Sequence, residues 1–143
     1  MFLLLATLAL AGEHKIDPSA LPTPVTAAIQ IRYPGATIST AAQEGKSYEA
    51  TIMLGDRHLD LAFSVDGIWL EEEERIAADA LPAAVTAALD DRWKGWSIVR
   101  AERATTPKGT TYEVVVKIGE RSAEVALTDA GTVKRVEQGD EEE

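Results

Sequence analysis

Apolar positions recur at helical spacing in two short stretches of this chain and at a spacing of two through most of the rest. Leu21, Val25, Ala28 and Ile29 fall at i, i+4, i+7 and i+8, one apolar stripe along a helix. Pro22 and Pro24 suit the opening turn, where a missing N–H costs nothing, and Tyr33-Pro34-Gly35 ends it. Leu81, Val85, Ala88, Leu89 and Trp93 repeat the stripe and stop at Lys94-Gly95. The expected helices span 22–33 and 82–93. After each, the period changes. Tyr48, Ala50, Ile52 and Leu54 alternate with Glu49, Thr51 and Met53; a turn at Gly55-Asp56 follows, and then Leu59, Leu61, Phe63 and Val65 alternate with polar residues. Asp66-Gly67 is a hairpin signal, and Ile68-Trp69-Leu70 opens another strand. The second half gives strands at 112–118, 123–127 and 133–136, with turns at Gly119-Glu120 and Ala130-Gly131. A weaker strand precedes each set, near 37–43 and 97–104.

The two halves share letters as well as pattern. Ala20-Leu21-Pro22, Val25 to Ala28, Arg32, Gly35 and Ile38 return 60 positions later; Gly45, Tyr48, Glu49, Gly55, Arg57 and Gly67 return 64 later. Four residues are therefore inserted between the matching blocks, most simply Thr105-Thr106-Pro107-Lys108. Such a period marks one supersecondary unit used twice. The predicted architecture is α+β: two tandem units, each a helix plus four antiparallel strands, with the helices packed on one face of a curved antiparallel sheet. The units are placed at 16–75 and 76–138. Each is near the lower size limit for a lone core, so the halves are expected to share a sheet or to pack together.

Outside the units, residues 2–11 are apolar and end in Ala9-Leu10-Ala11, a small-x-small cleavage pattern. They read as a signal peptide over 1–11 with an atypical start, since no Lys or Arg precedes the apolar run. The run is too short to span a bilayer as a helix. The protein is thus expected to be periplasmic or extracellular, with no stable membrane insertion after cleavage. The chain contains no cysteine, which removes disulfides, thiolate sites and lipid anchoring through cysteine, and which suits a bacterial periplasm. Glu71-Glu72-Glu73-Glu74 reads as a solvated linker between units and 139–143 as an acidic tail; consecutive carboxylates lack the ligand spacing of a calcium loop.

Charge and motifs narrow the function. A net charge of −10, from 24 acidic and 14 basic residues in 143, repels phosphate backbones and anionic membranes. There is no nucleophile elbow, phosphate-cradling loop or zinc motif. The two histidines, His14 and His58, are read respectively in an arm beyond the cleavage point and on an outward face. No cofactor, metal site or catalytic residue is assigned, and the chain is read as not an enzyme. Two aromatics are the candidate binding residues. Trp69 is out of phase with Ile68 and Leu70, which places it on the sheet face away from the helix. Trp96 follows Gly95 in the helix–strand turn. Each has two readings: an anchor for a partner, or packing, with Trp69 covering the contact between halves and Trp96 plugging the helix–sheet seam.

The combination Leu21-Pro22, Val25, Tyr33-Pro34-Gly35, Tyr48-Glu49 and Asp66-Gly67, followed by Leu81-Pro82, Val85, Trp93, Gly95, Tyr112-Glu113 and Gly131, resembles the PepSY-like, beta-lactamase-inhibitor-like family of bacterial exported proteins. The resemblance covers about residues 16–138. Lys94 and Ala130 depart from the pattern where proline and aspartate are usual, both at turns. It implies tandem helix-plus-four-strand units whose sheets form one curved surface, and, by likeness to inhibitors of similar architecture, a face that grips a partner. The matching residues belong to the scaffold and so carry over the fold, not the target. The resulting expectation is an exported, non-catalytic, inhibitor-like binding module. Its partner would be an unidentified protein or peptide of the cell envelope, with no nucleic acid. The alternatives are a small envelope enzyme using sheet-face carboxylates and a purely structural envelope protein.

Overall fold

The computed structural model describes residues 13–139; the expected signal at 1–11 and the tail residues 140–143 lie outside them. The protein is mixed α+β, with two α-helices and antiparallel strands among the described residues. It divides between Glu74 and Arg75 into two compact units.

In the first unit, β1 (Glu13–Ile16) is followed by a 3-10 turn at Pro18–Ala20 and by α1 (Thr23–Arg32). Asp17 opens the turn by accepting from the Ser19 amide at 2.9 Å. Pro22 stands just ahead of α1 with φ −54° and ψ 142°, and Pro24 lies in its first turn. The helix ends where the Tyr33 amide donates to Ile29 O and Gly35 takes φ +82°. A meander follows: β2 (Thr37–Glu44), β3 (Ser47–Leu54), β4 (Arg57–Ser64) and β5 (Trp69–Ile76), each antiparallel to the one before, with β1 on the outer edge of β2. The helical stripe Leu21, Val25, Ile29 and Tyr33 packs on Ala50, Ile52, Leu59, Leu61 and Phe63. These are alternate residues of β3 and β4, as the pleat requires. The larger of them, Ile52, Leu59, Leu61 and Phe63, fully buried, contribute about 1.5–3 kcal/mol each.

The second unit runs from a 3-10 turn at Ala78–Ala80 through α2 (Ala83–Arg92) to β6 (Ser97–Thr106), β7 (Gly109–Ile118), β8 (Arg121–Thr128) and β9 (Val133–Gln138). Leu81, Val85, Leu89 and Trp93 pack on Val114, Val116, Ala123, Val125 and Leu127. The four extra residues lengthen the first hairpin evenly: β2 and β3 have 8 residues each, β6 and β7 have 10. Pro107-Lys108 now forms the turn.

Three expectations are corrected. The first unit has a fifth strand, β1, and His14 lies on it rather than in an arm. Glu71–Glu74 is not a solvated linker but the middle of β5, and Glu71 is only 2% exposed. Trp69 is not on the sheet face away from the helix. Ala62 pairs with Glu71 while the next residue, Phe63, pairs with Trp69, so Leu70 is the extra residue of a β-bulge. The bulge resets the alternation and turns Trp69 onto the α1 side, where it packs against the core. Ile68 and Leu70, read as buried, are 62% and 37% exposed. The same bulge recurs between β8 and β9, with Lys134 as the extra residue and Val133 turned toward α2.

Candidate functional site

Strand alternation assigns every side chain of the first unit's sheet either to the α1 side or to the far side. The register then groups them in rows across the strands. One far-side row reads Lys15, Ala42, Glu49, Ala62, Glu71 from β1 to β5. Its neighbours read Glu13, Glu44, Ser47, Ser64, and Thr40, Thr51, Asp60, Glu73. Six carboxylates therefore share these three rows with a single cation, Lys15. Thr51 Oγ1 donates to Asp60 at 2.6 Å. Glu49 lies at the centre. Burial raises its carboxyl from the usual carboxylate range to about 7, and the negative charges of Glu13, Glu44 and Glu73, with a hydrogen bond to Glu44, push the same way. Among the described residues no group of carboxylates and histidines is arranged to hold a metal ion.

The far side of the second unit, on β6 to β9, has a different charge pattern. Arg100 lies 3.7 Å from Glu102 and 4.0 Å from Glu124, and Arg135 lies 3.4 Å from Glu137. Glu71 of the first unit corresponds to Arg135 here, 64 positions on. Exposed pairs of this kind add little stability; their consequence is a surface of mixed sign.

On the α1 side, the end of β5 is tied to the helix by polar contacts. The Arg32 guanidinium stacks on the Trp69 ring at 3.8 Å, and its Nε donates to Tyr33 Oη at 3.3 Å. Tyr33 Oη in turn donates to Glu72 at 2.5 Å. Burial and the Glu72 bond push the phenol up to about 12, so it stays protonated as a donor. Arg57 clasps Glu74 through Nε and Nη2, both at 2.9 Å. Tyr33→Phe is therefore expected to cost about 1–2 kcal/mol, since a part-buried carboxylate loses its donor. Urea denaturation would measure this, and Glu72→Gln on the Tyr33→Phe background should recover part of the loss.

Trp69 and Trp96 are both half-buried against their units' cores, Trp96 with Arg121 at 5.3 Å from its ring. The structure thus gives both an Arg partner and a packed face. His14 and His58 stand on strands separated by two others, His14 on the α1 side and His58 on the far side, so they form no pair. Sequence reading named sheet-face carboxylates only as a class, without residues, and missed Arg32. Glu49 alternating with Tyr48 and Ala50 marked one of them as outward, but only the register shows Glu13, Glu44 and Glu73 gathering around it.

Residues 46–135 match the family described as "putative beta-lactamase-inhibitor-like, PepSY-like". The chain belongs to that family. Its fold is similar to that of a BLIP-like protein from Bacteroides fragilis, at 23% identity and a TM-score of 0.71 over 85% of this chain and 92% of that one. It is also similar to a "putative periplasmic protein" from Bacteroides eggerthii, at 20% identity and a TM-score of 0.74 over 82% and 88%. At these identities the likeness is one of fold. No curated protein matches the chain. Among the described residues of this PepSY-like protein, no helix is long and apolar enough to cross a membrane.

Proposed function

We propose that this PepSY-like protein is a periplasmic, non-catalytic binding module, inhibitor-like in manner, that recognises a protein or peptide through the far side of its sheet. The observation that carries the reading is that three adjacent rows on that side of the first unit bring together Glu13, Glu44, Glu49, Asp60 and Glu73, over the buried Glu71. The inhibitor-like family and the periplasmic description of a structural neighbour support it. In this reading the two units are tandem PepSY-like repeats. Matching residues support this: Gly35 and Gly95 end the helices with φ +82° and +84°, and the bulge before Trp69 returns before Val133. Trp69 and Trp96 then serve the site from behind, as half-buried supports of the strands, rather than as its anchors.

The test uses the immobilised protein against periplasmic extract of its native host, followed by direct titration with the captured protein. Saturable binding is expected, weakened at least about tenfold by Asp60→Arg, a charge reversal within the acidic rows. Ile31→Glu, on a helix position 82% exposed, should leave it unchanged. Binding indifferent to Asp60→Arg and lost in Ile31→Glu would move the site to the helical side. Turnover of a small-molecule panel without saturable protein binding would favour an enzyme.

A further inference from the structure

The strand β1 lies at the edge of the first unit's sheet. Its described residues, Glu13–Ile16, pair with the last residues of β2, Glu13 with Glu44 through Ile16 with Ala41. Ile16 is its one side chain packed against the core; His14 and Lys15 are exposed. At its start the register sets two carboxylates directly opposite each other, Glu13 and Glu44, an arrangement that repels when both are ionised. A third, Glu49, is one strand further in, opposite Ala42 and diagonal to Glu44.

We propose that β1 is a pH-dependent clasp: it lies paired on the β2 edge while Glu49, beside the facing Glu13 and Glu44, holds a proton, and it peels away when Glu49 is ionised.

The groups facing Glu49 from each neighbouring strand set the sign. On β1 these are Glu13 and Lys15, on β2 Glu44 beside Ala42, on β4 Asp60 and Ser64 flanking Ala62, and on β5 Glu71 and Glu73. Lys15 is the one positive group among them and it travels with β1. Its attraction therefore opposes release, but its side chain is exposed and screened. Carboxyl groups can hydrogen-bond to one another only by sharing a proton. With its proton on, Glu49 donates to Glu44 and removes one charge from beside Glu13. Glu49 holds that proton up to about pH 7 when β1 is paired, partly because of Glu13 itself. Once β1 departs, Glu49 gains solvent and loses the charge of Glu13, so its pKa falls toward the ordinary value. The paired form thus binds the extra proton, and by linkage pairing is favoured at lower pH and lost as pH rises through about 7.

Hydrogen exchange of the whole chain, read by mass spectrometry and corrected for the intrinsic pH dependence of exchange, tests this. Protection of peptides covering 13–16 and 41–44 should fall on the order of tenfold between pH 5.5 and 8.5. Peptides within 59–63 should hold their protection. Glu49→Gln, which carries no titrating charge, should keep β1 protected across the range. Glu13→Gln, on the exposed strand and away from the core, should make the loss smaller, because the charge that both repels Glu44 and raises Glu49 is gone. Constant protection of 13–16 in the wild type would overturn the proposal. So would an equal loss within 59–63, or a pH dependence in Glu49→Gln identical to the wild type.

Discussion

Gly67→Ala is expected to lower stability by about 2–4 kcal/mol, whereas Gly55→Ala should cost only about 1. Both glycines have positive φ, +83° and +64°, so both substitutions carry the strain of an L-residue in the left-handed region. They differ in what surrounds them. A Cβ on Gly55 meets nothing within 4 Å, while one on Gly67 would collide with the main-chain carbonyl of Pro24 in the first turn of α1. The turn is otherwise closed by Gly67 N donating to Ser64 O and Ser64 N to Ile68 O, both at 2.9 Å. The β4–β5 hairpin is thus wedged beneath the helix start, and neither backbone can yield without disturbing the core. Gly131 meets the carbonyl of Ala84 in the same way and should behave like Gly67. Equilibrium denaturation of the three variants checks the ordering; equal losses at positions 55 and 67 would show that the close approach is unimportant.

Trp69→Ala should destabilise by about 3 kcal/mol, through lost burial against the core and lost stacking under Arg32. Trp69→Phe should remain within about 1 kcal/mol of wild type. Phenylalanine keeps a ring in the same place, and it removes the indole Nε1, a buried donor with no hydrogen-bond partner. Thermal melts of both variants, paired with titration against the captured partner, separate support from anchoring. A support residue lowers the melting temperature and leaves binding by the folded protein intact. Unchanged stability with at least tenfold weaker binding would restore Trp69 as an anchor.

The elements legible in the sequence were those in which one physical rule acts alone. The Leu21–Ile29 stripe with proline before it and glycine after it could only be a short helix, and it forms within a residue of the expected ends. The alternation of Tyr48 to Leu54 and Leu59 to Phe63 likewise gave strands with the right face inward. Reading failed where two rules compete. At Ile68–Leu70 the apolar letters suggested burial, but a bulge, invisible to period counting, decided the phase. At Glu71–Glu74 composition suggested solvent, but pairing with Ala62, Leu61, Asp60 and Leu59 held the run in the sheet. The candidate site was less legible still, because a row across a sheet joins residues distant in sequence: Glu13, Glu44, Glu49 and Glu73 are neighbours only through register.

The four consecutive glutamates Glu71–Glu74 have one further consequence. In a pleated strand they act as a comb with teeth on both sides. Glu72 and Glu74 point toward Tyr33 and Arg57, and Glu71 and Glu73 point the other way. Identical letters therefore answer to two different selective demands at alternating positions. Changes at 72 and 74 will be felt as lost stability, whereas a change at 73 alters the charge of the far side, where Glu71 itself is buried. An alignment that counts the run as one acidic stretch would average the two and see neither.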